Sequence, residues 1–359
     1  MSKKGANDVR IRYSAGAGDV AKVGAADLSS GLTAMLGDGV KSSPDSSLLP
    51  TEIRLDLNDS PAPTSASTIA LQGDGFEVSR AAESIVIRAG TERGLIHATA
   101  NLLEKLGAQF PPGVAPSYPR IEKARLTGLE PWRVAPAFER RAFISDIMTW
   151  NYNFPDRLEL HLRHDREFIP WMARRGINAF SYIRHPHDTR LKIDEIAPLL
   201  GEHGIGSEYG GHVLQQLLPR ERFDEHPEYF PAGEDGVRAA RGNLCVSNPE
   251  AIAIVRADAL AYVRENPENE LLHIWGADVR GGAWCRCGQC RELPPQLQYM
   301  SVVNAIAAEL AADSKAPPIA YLAYHDTIDP NPALQPRDNV WFEWAPRERC
   351  YSHAIDDPA

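Results

Sequence analysis

The sequence predicts an α/β chain: a small α/β sandwich domain over residues 1–125, then a (β/α)8-type (TIM) barrel over residues 136–359 that is incomplete at its C-terminus. Three observations lead there. The first third of the chain mixes alternating, strand-like segments with two helical patterns. A proline-rich stretch from Pro111 to Pro119 punctuates its end. Beyond Phe138, short apolar strands alternate with helical segments, and each strand runs into a polar, aromatic-rich loop, as in a parallel sheet.

In chain order, residues 9–13 read as a strand and residues 19–36 as a helix. The Ser/Pro-rich segments 42–47 and 60–67 read as loops. Residues 51–57 alternate Ile53, Leu55 and Leu57 against Arg54 and Asp56, as a half-buried strand does. Residues 75–79 and 84–88 pair as a hairpin. Thr91 is an N-cap for a helix whose leucines recur at helical spacing up to Leu106, and Gly107 stops it. In the second region strands are expected near residues 142–147, 178–183, 205–209, 271–275, 318–324 and 339–344. Helices fall between them at 163–175, 193–203, 249–264 and 297–312. A doubly wound sheet would also alternate, but no Gly-rich phosphate turn follows any of these strands. Six strands precede Ala359 where a barrel needs eight, so the expectation is that residues beyond Ala359 complete it or that a partner chain, such as a second copy in a homo-oligomer, covers the gap.

Composition narrows the classes. The chain has 359 residues with 43% hydrophobic and 24% charged residues, which leaves ample material for a core and excludes disordered and fibrous proteins. No apolar run approaches the ~20 residues that span a bilayer, so no membrane partner is expected. The formal net charge of −10 repels phosphate backbones, so no nucleic-acid partner is expected either. The N-terminus lacks the apolar stretch of a signal peptide, which reads as cytoplasmic for the sequence as it stands, or secreted or periplasmic had a leader been removed.

In a barrel the working residues lie at the C-terminal ends of strands. Those positions carry Trp150; Arg184 and His185; Tyr209 and His212; Trp275 and Asp278; Tyr324 and His325; and Glu343, Trp344 and Arg347. Carboxylates to act as acid and base, with aromatic rings to stack on sugar faces, are what glycosidic cleavage needs. The cations among them would form an electropositive pocket suited to a uronic carboxylate or a sulfate. No cofactor is expected for that chemistry.

Cys285, Cys287 and Cys290 lie within six residues. Three thiols at that spacing can converge on a soft metal ion such as structural zinc, with Cys245, Cys350 or His353 as a fourth ligand. A disulfide between two of them, or reduced free thiols, are the other two readings.

Several motifs together resemble a known family. Gly211-His212, the run from His226 to Phe230, Asn243 to Pro249, Trp284-Cys285-x-Cys287-x-x-Cys290, and Pro346 to His353 are similar to a bacterial family of glycoside-hydrolase-like barrels catalogued as a domain of unknown function. The segments from Gly90 to Ala98 and Leu102 to Gly107 resemble the α/β domain that precedes the barrel in α-glucuronidases and β-hexosaminidases. The resemblance implies a glycoside hydrolase. β-Hexosaminidases carry an Asp-Glu pair after the fourth strand; here Val279 follows Asp278, so that family's acid is missing. The likeness to α-glucuronidases implies Asp278 and Glu343 as an inverting acid–base pair. A non-catalytic carbohydrate-binding barrel is the competing expectation, and a metal-dependent hydrolase a third.

Overall fold

The computed structural model describes residues 9–49, 52–56, 71–81, 84–145, 155–183, 196–281 and 283–357. The chain forms two compact units: Met1–Phe143, Trp150–Phe180 and Lys192–Gly206 in one, Ile144–Thr149, Ser181–Leu191 and Ser207–Ala359 in the other.

The first unit holds a mixed sheet in the order β2-β1-β3-β5-β4-β6. Its strands are β1 Val9–Ser14, β2 Val40–Asp45, β3 Glu52–Asp56, β4 Phe76–Ala81, β5 Ser84–Ala89 and β6 Trp132–Val134. β1 and β2 pair in parallel; the other pairings are antiparallel, including the expected hairpin of β4 and β5. Alternation puts Val9, Ile11, Ile53, Leu55, Ile85 and Ile87 into one core with Leu28, Leu32 and Met35 of α1 (Asp19–Leu36) and Leu95, Leu102 and Leu103 of α2 (Glu92–Lys105). Gly31 lets these two helices approach, since a Cβ there would lie 2.7 Å from a Leu103 methyl. Thr91 caps α2 by accepting from the Gly94 amide, and Gly107 leaves the helix at φ +106°. A short helix α3 (Lys123–Thr127) precedes β6, and α4 (Pro155–Arg174) and α5 (Ala197–Glu202) are the further helices among the described residues of this unit.

One expectation is corrected here. Residues 40–45 were expected to be partly loop, on the strength of the Ser/Pro run, yet they form strand β2. β2 is at the end of the sheet order, where Pro44 can lack an N–H without breaking a ladder on both sides.

The second sheet has the order β12-β11-β10-β9-β8-β7, from strands β7 Ala142–Ser145, β8 Ala179–Ile183, β9 Gly206–Gly211, β10 Asn269–Ile274, β11 Ile319–Ala323 and β12 Val340–Trp344. The pairings from β9 through β12 are all parallel, with α6 (Pro249–Glu265) and α7 (Pro295–Leu310) as crossovers. Sequential strands are neighbours and the order never reverses, so there is no switch point of the doubly wound kind. This is a mixed α/β protein in which a parallel, half-barrel sheet accompanies a separate mixed sheet. Among the described residues the parallel sheet has six strands, close to the six segments expected. Among the described residues no helix is long and apolar enough to cross a membrane.

Candidate active site

Strand alternation builds the site. On β9, Glu208 faces the same side of the sheet as His273 on β10, and both are buried, at 1% and 2% exposure. His273 Nε2 lies 3.1 Å from Glu208 Oε2, and Ser181 donates its hydroxyl to the same oxygen. On the other side of the imidazole, Nδ1 is 3.1 Å from Glu343 Oε1, an ion-pair contact at an angle away from a straight hydrogen bond. Glu343 is 24% exposed and also accepts from Trp275 Nε1 at 2.8 Å. Burial alone would push the His273 imidazole down, but the two carboxylates on either side override it and raise its pKa to about 9. The result is a carboxylate–imidazolium–carboxylate row with only its Glu343 end reaching water.

The close approach of β9 and β10 depends on Gly210, at φ +129°, because a Cβ there would fall 1.8 Å from the His273 carbonyl oxygen. No other residue type fits at that position.

Asp278, in the loop after β10, is 53% exposed and accepts from Tyr324 Oη at 3.0 Å. His325 Nε2 is 3.5 Å away and His212 Nε2 3.9 Å away. Arg347 donates to Tyr324 Oη at 3.0 Å and stands 3.3 Å from His325 Nε2, while His325 Nδ1 is 2.8 Å from Glu348 Oε1. His325 is the single non-glycine residue with positive φ among the described residues, at 49°. Strained backbone of this kind persists where surrounding contacts over-determine it, and functional sites are enriched in it. A cleft in this unit is lined by His212, Gly276, Ala277, Trp284, Tyr324 and His325.

The structure therefore brings Asp278, His212, Tyr324, His325 and Arg347 into one cluster and Glu343 with Trp275 into a second. The two meet where the His212 ring packs edge-on to Trp275, centroids 5.2 Å apart. Tyr209 falls outside both. It is fully buried, on the face of β9 opposite Glu208, so it packs beneath the sheet instead of reaching a sugar. Trp344 is exposed, and alternation turns it to the face opposite Glu343, beside Phe342. Trp150, Arg184 and His185 lie outside the described residues. From the sequence Glu208 is one of the strand-end residues but carries no assigned role, and His273 is not singled out. The signal that marks His273 is a polar residue between Leu272 and Ile274 in the apolar end of β10; Glu208, in the glycine-rich β9, stands out only as a carboxylate inside a strand.

The cysteines converge as expected, and the fourth sulfur comes from Cys245. The four Sγ atoms of Cys245, Cys285, Cys287 and Cys290 lie within 4.8 Å of one another, and the group can hold a metal ion. Cys350 is exposed, as is His353. All five cysteines are free thiols, so the disulfide reading is not the one the structure shows.

A parallel half-barrel α/β unit with a carboxylate-and-histidine cleft, in one chain with a separate mixed sheet, is the class that fold and site define. The family assignment follows from comparison: residues 115–359 match the domain of unknown function DUF4838, and the chain belongs to that family. No curated protein matches the chain. Among solved structures, a family GH115 4-O-methyl-α-glucuronidase with specificity for decorated arabinogalactans superposes at TM-score 0.52 and 16% identity, over 94% of this chain and 44% of that one. A β-N-acetylhexosaminidase from Bacteroides fragilis gives TM-score 0.47 and 12% identity over 94% and 65%. A variant Streptomyces plicatus β-hexosaminidase, in complex with its product GlcNAc, gives 0.48 and 13% over 93% and 65%. The likeness to the glucuronidase is one of fold, and this chain spans less than half of that protein's length.

Proposed function

We propose that the chain is a glycoside hydrolase acting on an acidic (uronic or sulfated) glycoside, with its parallel sheet forming part of a (β/α)8 barrel. The observation that carries this is Glu343, held by Trp275 Nε1 and by His273, at the end of a strand neighbouring the Asp278 cluster. Because His273 carries the positive charge between its two partners, Glu343 takes the role of the ionised base. It removes a proton from water as the water oxygen attacks the anomeric carbon. In the same step the glycosidic C–O bond breaks and Asp278 gives its proton to the departing oxygen; afterwards Glu343 releases to solvent the proton it took from water, and Asp278 takes one up from solvent. Glu343 touches Trp275, Asp278 stands near His212, and those two rings pack on each other; inversion is the outcome proposed, and it calls for carboxylates about 6.5–9.5 Å apart. Arg347 supplies a guanidinium for the substrate's anionic group, and the glucuronidase named above acts on substrates of that kind. No cofactor enters the chemistry. The cysteine cluster serves structure in this reading, with zinc the ion its sulfurs suit.

A panel of aryl glycosides tests the proposal. Uronic or sulfated substrates are expected to turn over, with inverted anomers seen by NMR. Asp278→Asn and Glu343→Gln are each expected to lower kcat by about 10²–10⁴-fold, the first at unchanged melting temperature and the second with the fold retained but the His273 ion pair lost. The second reading, a carbohydrate-binding barrel, is favoured by Asp278 lying among hydrogen-bond donors instead of against an apolar wall. Sugar binding without turnover of any glycoside would establish it and end the hydrolase reading.

A further inference from the structure

We propose that Cys245, Cys285, Cys287 and Cys290 bind one zinc ion, and that this ion's task is to fix the loop that carries Asp278. This holds whether or not Asp278 is the acid of a hydrolase.

The donor set and its spacing fit zinc. With Zn–S near 2.3 Å, the edge of a sulfur tetrahedron is about 3.8 Å. The Cys245 sulfur lies 3.7 Å from that of Cys287 and 3.9 Å from that of Cys290. A disulfide would need about 2 Å, so these sulfurs are arranged around a point and not bonded in pairs. On binding, four thiols release their protons to solvent and leave a centre of net charge −2. Its surroundings suit that charge. Amides of Ala232 and Cys287 point at the Cys285 sulfur at 3.4 and 3.5 Å, and the Arg238 guanidinium brings a positive charge close to Cys245. Four protein sulfurs fill the tetrahedron and leave no open position for water, so the site is structural and not catalytic.

What the ion ties together is specific. Cys245 lies in the long segment between β9 and α6, and the other three lie between β10 and α7. Both segments leave the C-terminal ends of neighbouring parallel strands, and each carries little regular structure of its own. Two residues before Cys245, buried Asn243 donates its amide to the Ala283 carbonyl at 2.9 Å, two residues before Cys285. The Asn243 side chain accepts from the Ala277 amide at 2.8 Å, and Ala277 precedes Asp278. Trp284, adjacent to Cys285, packs against Gly276 closely enough that a Cβ there would be 3.1 Å from its ring. From α7, Gln298 accepts from the Cys285 amide and donates to the carbonyls of Cys285 and Leu293. The sulfur knot thus fixes Asn243 and Trp284, and these two hold Gly276 and Ala277 beneath Asp278. Closing two long loops onto each other is entropically costly, and a metal cross-link between them offsets that cost.

The experiment uses the whole chain. Elemental analysis of the purified protein is expected to show one zinc per chain, and cobalt substitution should give the absorption bands of a tetrahedral thiolate site. Hydrogen exchange is then compared before and after zinc is removed by a chelator. The Ala277 amide should lose protection while those of Leu272 to Ile274 in β10 keep theirs. Should chelation unfold the unit outright, Asn243→Ala gives the second arm: it should keep its zinc and expose the Ala277 amide. A chain that neither carries zinc nor takes it up overturns the site. Zinc that binds while Asn243→Ala leaves Ala277 exchange unchanged overturns the assigned task.

Discussion

Asp74 in the first unit and Glu208 in the second are both almost completely buried, yet they are held by different chemistry. Asp74 accepts from the Thr91 hydroxyl at 2.6 Å, the Arg141 guanidinium at 2.7 Å, Asn178 Nδ2 at 2.9 Å and Arg93 Nε at 3.3 Å. Those partners are distant in sequence, and two are permanently charged. Burial disfavours the Asp74 carboxylate, but this ring of donors overcomes it and holds its pKa below the ordinary carboxylate range. Glu208 instead faces an imidazole, which is titratable, and that imidazole faces Glu343, which reaches water. A closed network of fixed charges suits a joint between distant segments. An open row ending at a solvent-accessible carboxylate suits proton chemistry. The two units use the same material for those two ends.

The largest expected effect falls on the closed network. Asp74→Ala takes the carboxylate from half-buried Arg141 and buried Asn178, which keep only backbone carbonyls as acceptors, and removing one partner of such a pair costs about 3–5 kcal/mol. Urea unfolding with an unchanged slope should show that loss. A change below about 1 kcal/mol would mean that the ring of donors finds other acceptors, and the contrast with Glu208 would fall.

A second pair sharpens the contrast through pH. Each unit buries a histidine, and the two are displaced in opposite directions. His97 packs edge-on to Phe76 in the first unit. Burial, then the nearby Arg141 guanidinium, lowers its pKa to about 4. It folds as the neutral ring, so its contribution is present above its ordinary value of 6.5 and is lost as pH falls from there toward 4. His273 folds as the cation, with a pKa near 9, so its contribution is present below 6.5 and is lost as pH rises toward 9. Each displacement corresponds to about 3 kcal/mol at most. Asp165, which burial raises to about 6, works against His97 on the acid side: its contribution is present below its ordinary 3.8 and fades as pH rises to 6. The measurement is therefore a difference, wild type minus variant, across pH 4 to 9. His97→Leu should flatten only the acid side and His273→Gln only the alkaline side. NMR titration of His273 with a midpoint near the ordinary 6.5 would remove the cation from the proposed mechanism.

The fold was legible where local pattern decides it. Alternation located the hairpin of β4 and β5, the Thr91 cap and Gly107 stop marked α2, and six apolar segments marked the parallel sheet. β2 was hidden because Pro44 argues against a strand, and only its place at the sheet edge makes the proline harmless. β6, three residues long, carries too little pattern to be read. In the site, neighbouring residues differ in fate by parity alone. Glu208 faces the row of polar groups and Tyr209 faces the core, a choice set by register and not by residue type. The fourth sulfur was similarly open, since Cys245, Cys350 and His353 were equivalent until the loop after β9 folded onto the loop after β10.

The smallest expected effect separates a helix cap used once from a cap used twice. Asn248 opens α6 by accepting from the amides of Glu250 and Ala251 at 2.9 and 3.1 Å. Thr91 opens α2 by accepting from the Gly94 amide at 3.1 Å, and its own hydroxyl proton goes to Asp74. An N-cap lost to alanine costs about 1 kcal/mol, and that is the whole expectation for Asn248→Ala. Thr91→Ala should lose this and also a hydrogen bond to a buried carboxylate, about 1.5–3 kcal/mol more. Thr91→Ser keeps both bonds and should stay within about 1 kcal/mol of wild type, the change being confined to one methyl group. If Thr91→Ala and Asn248→Ala proved equal in urea unfolding, the hydroxyl would contribute nothing to Asp74. The first unit's network would then be a ring of three donors, with the α2 cap independent of it.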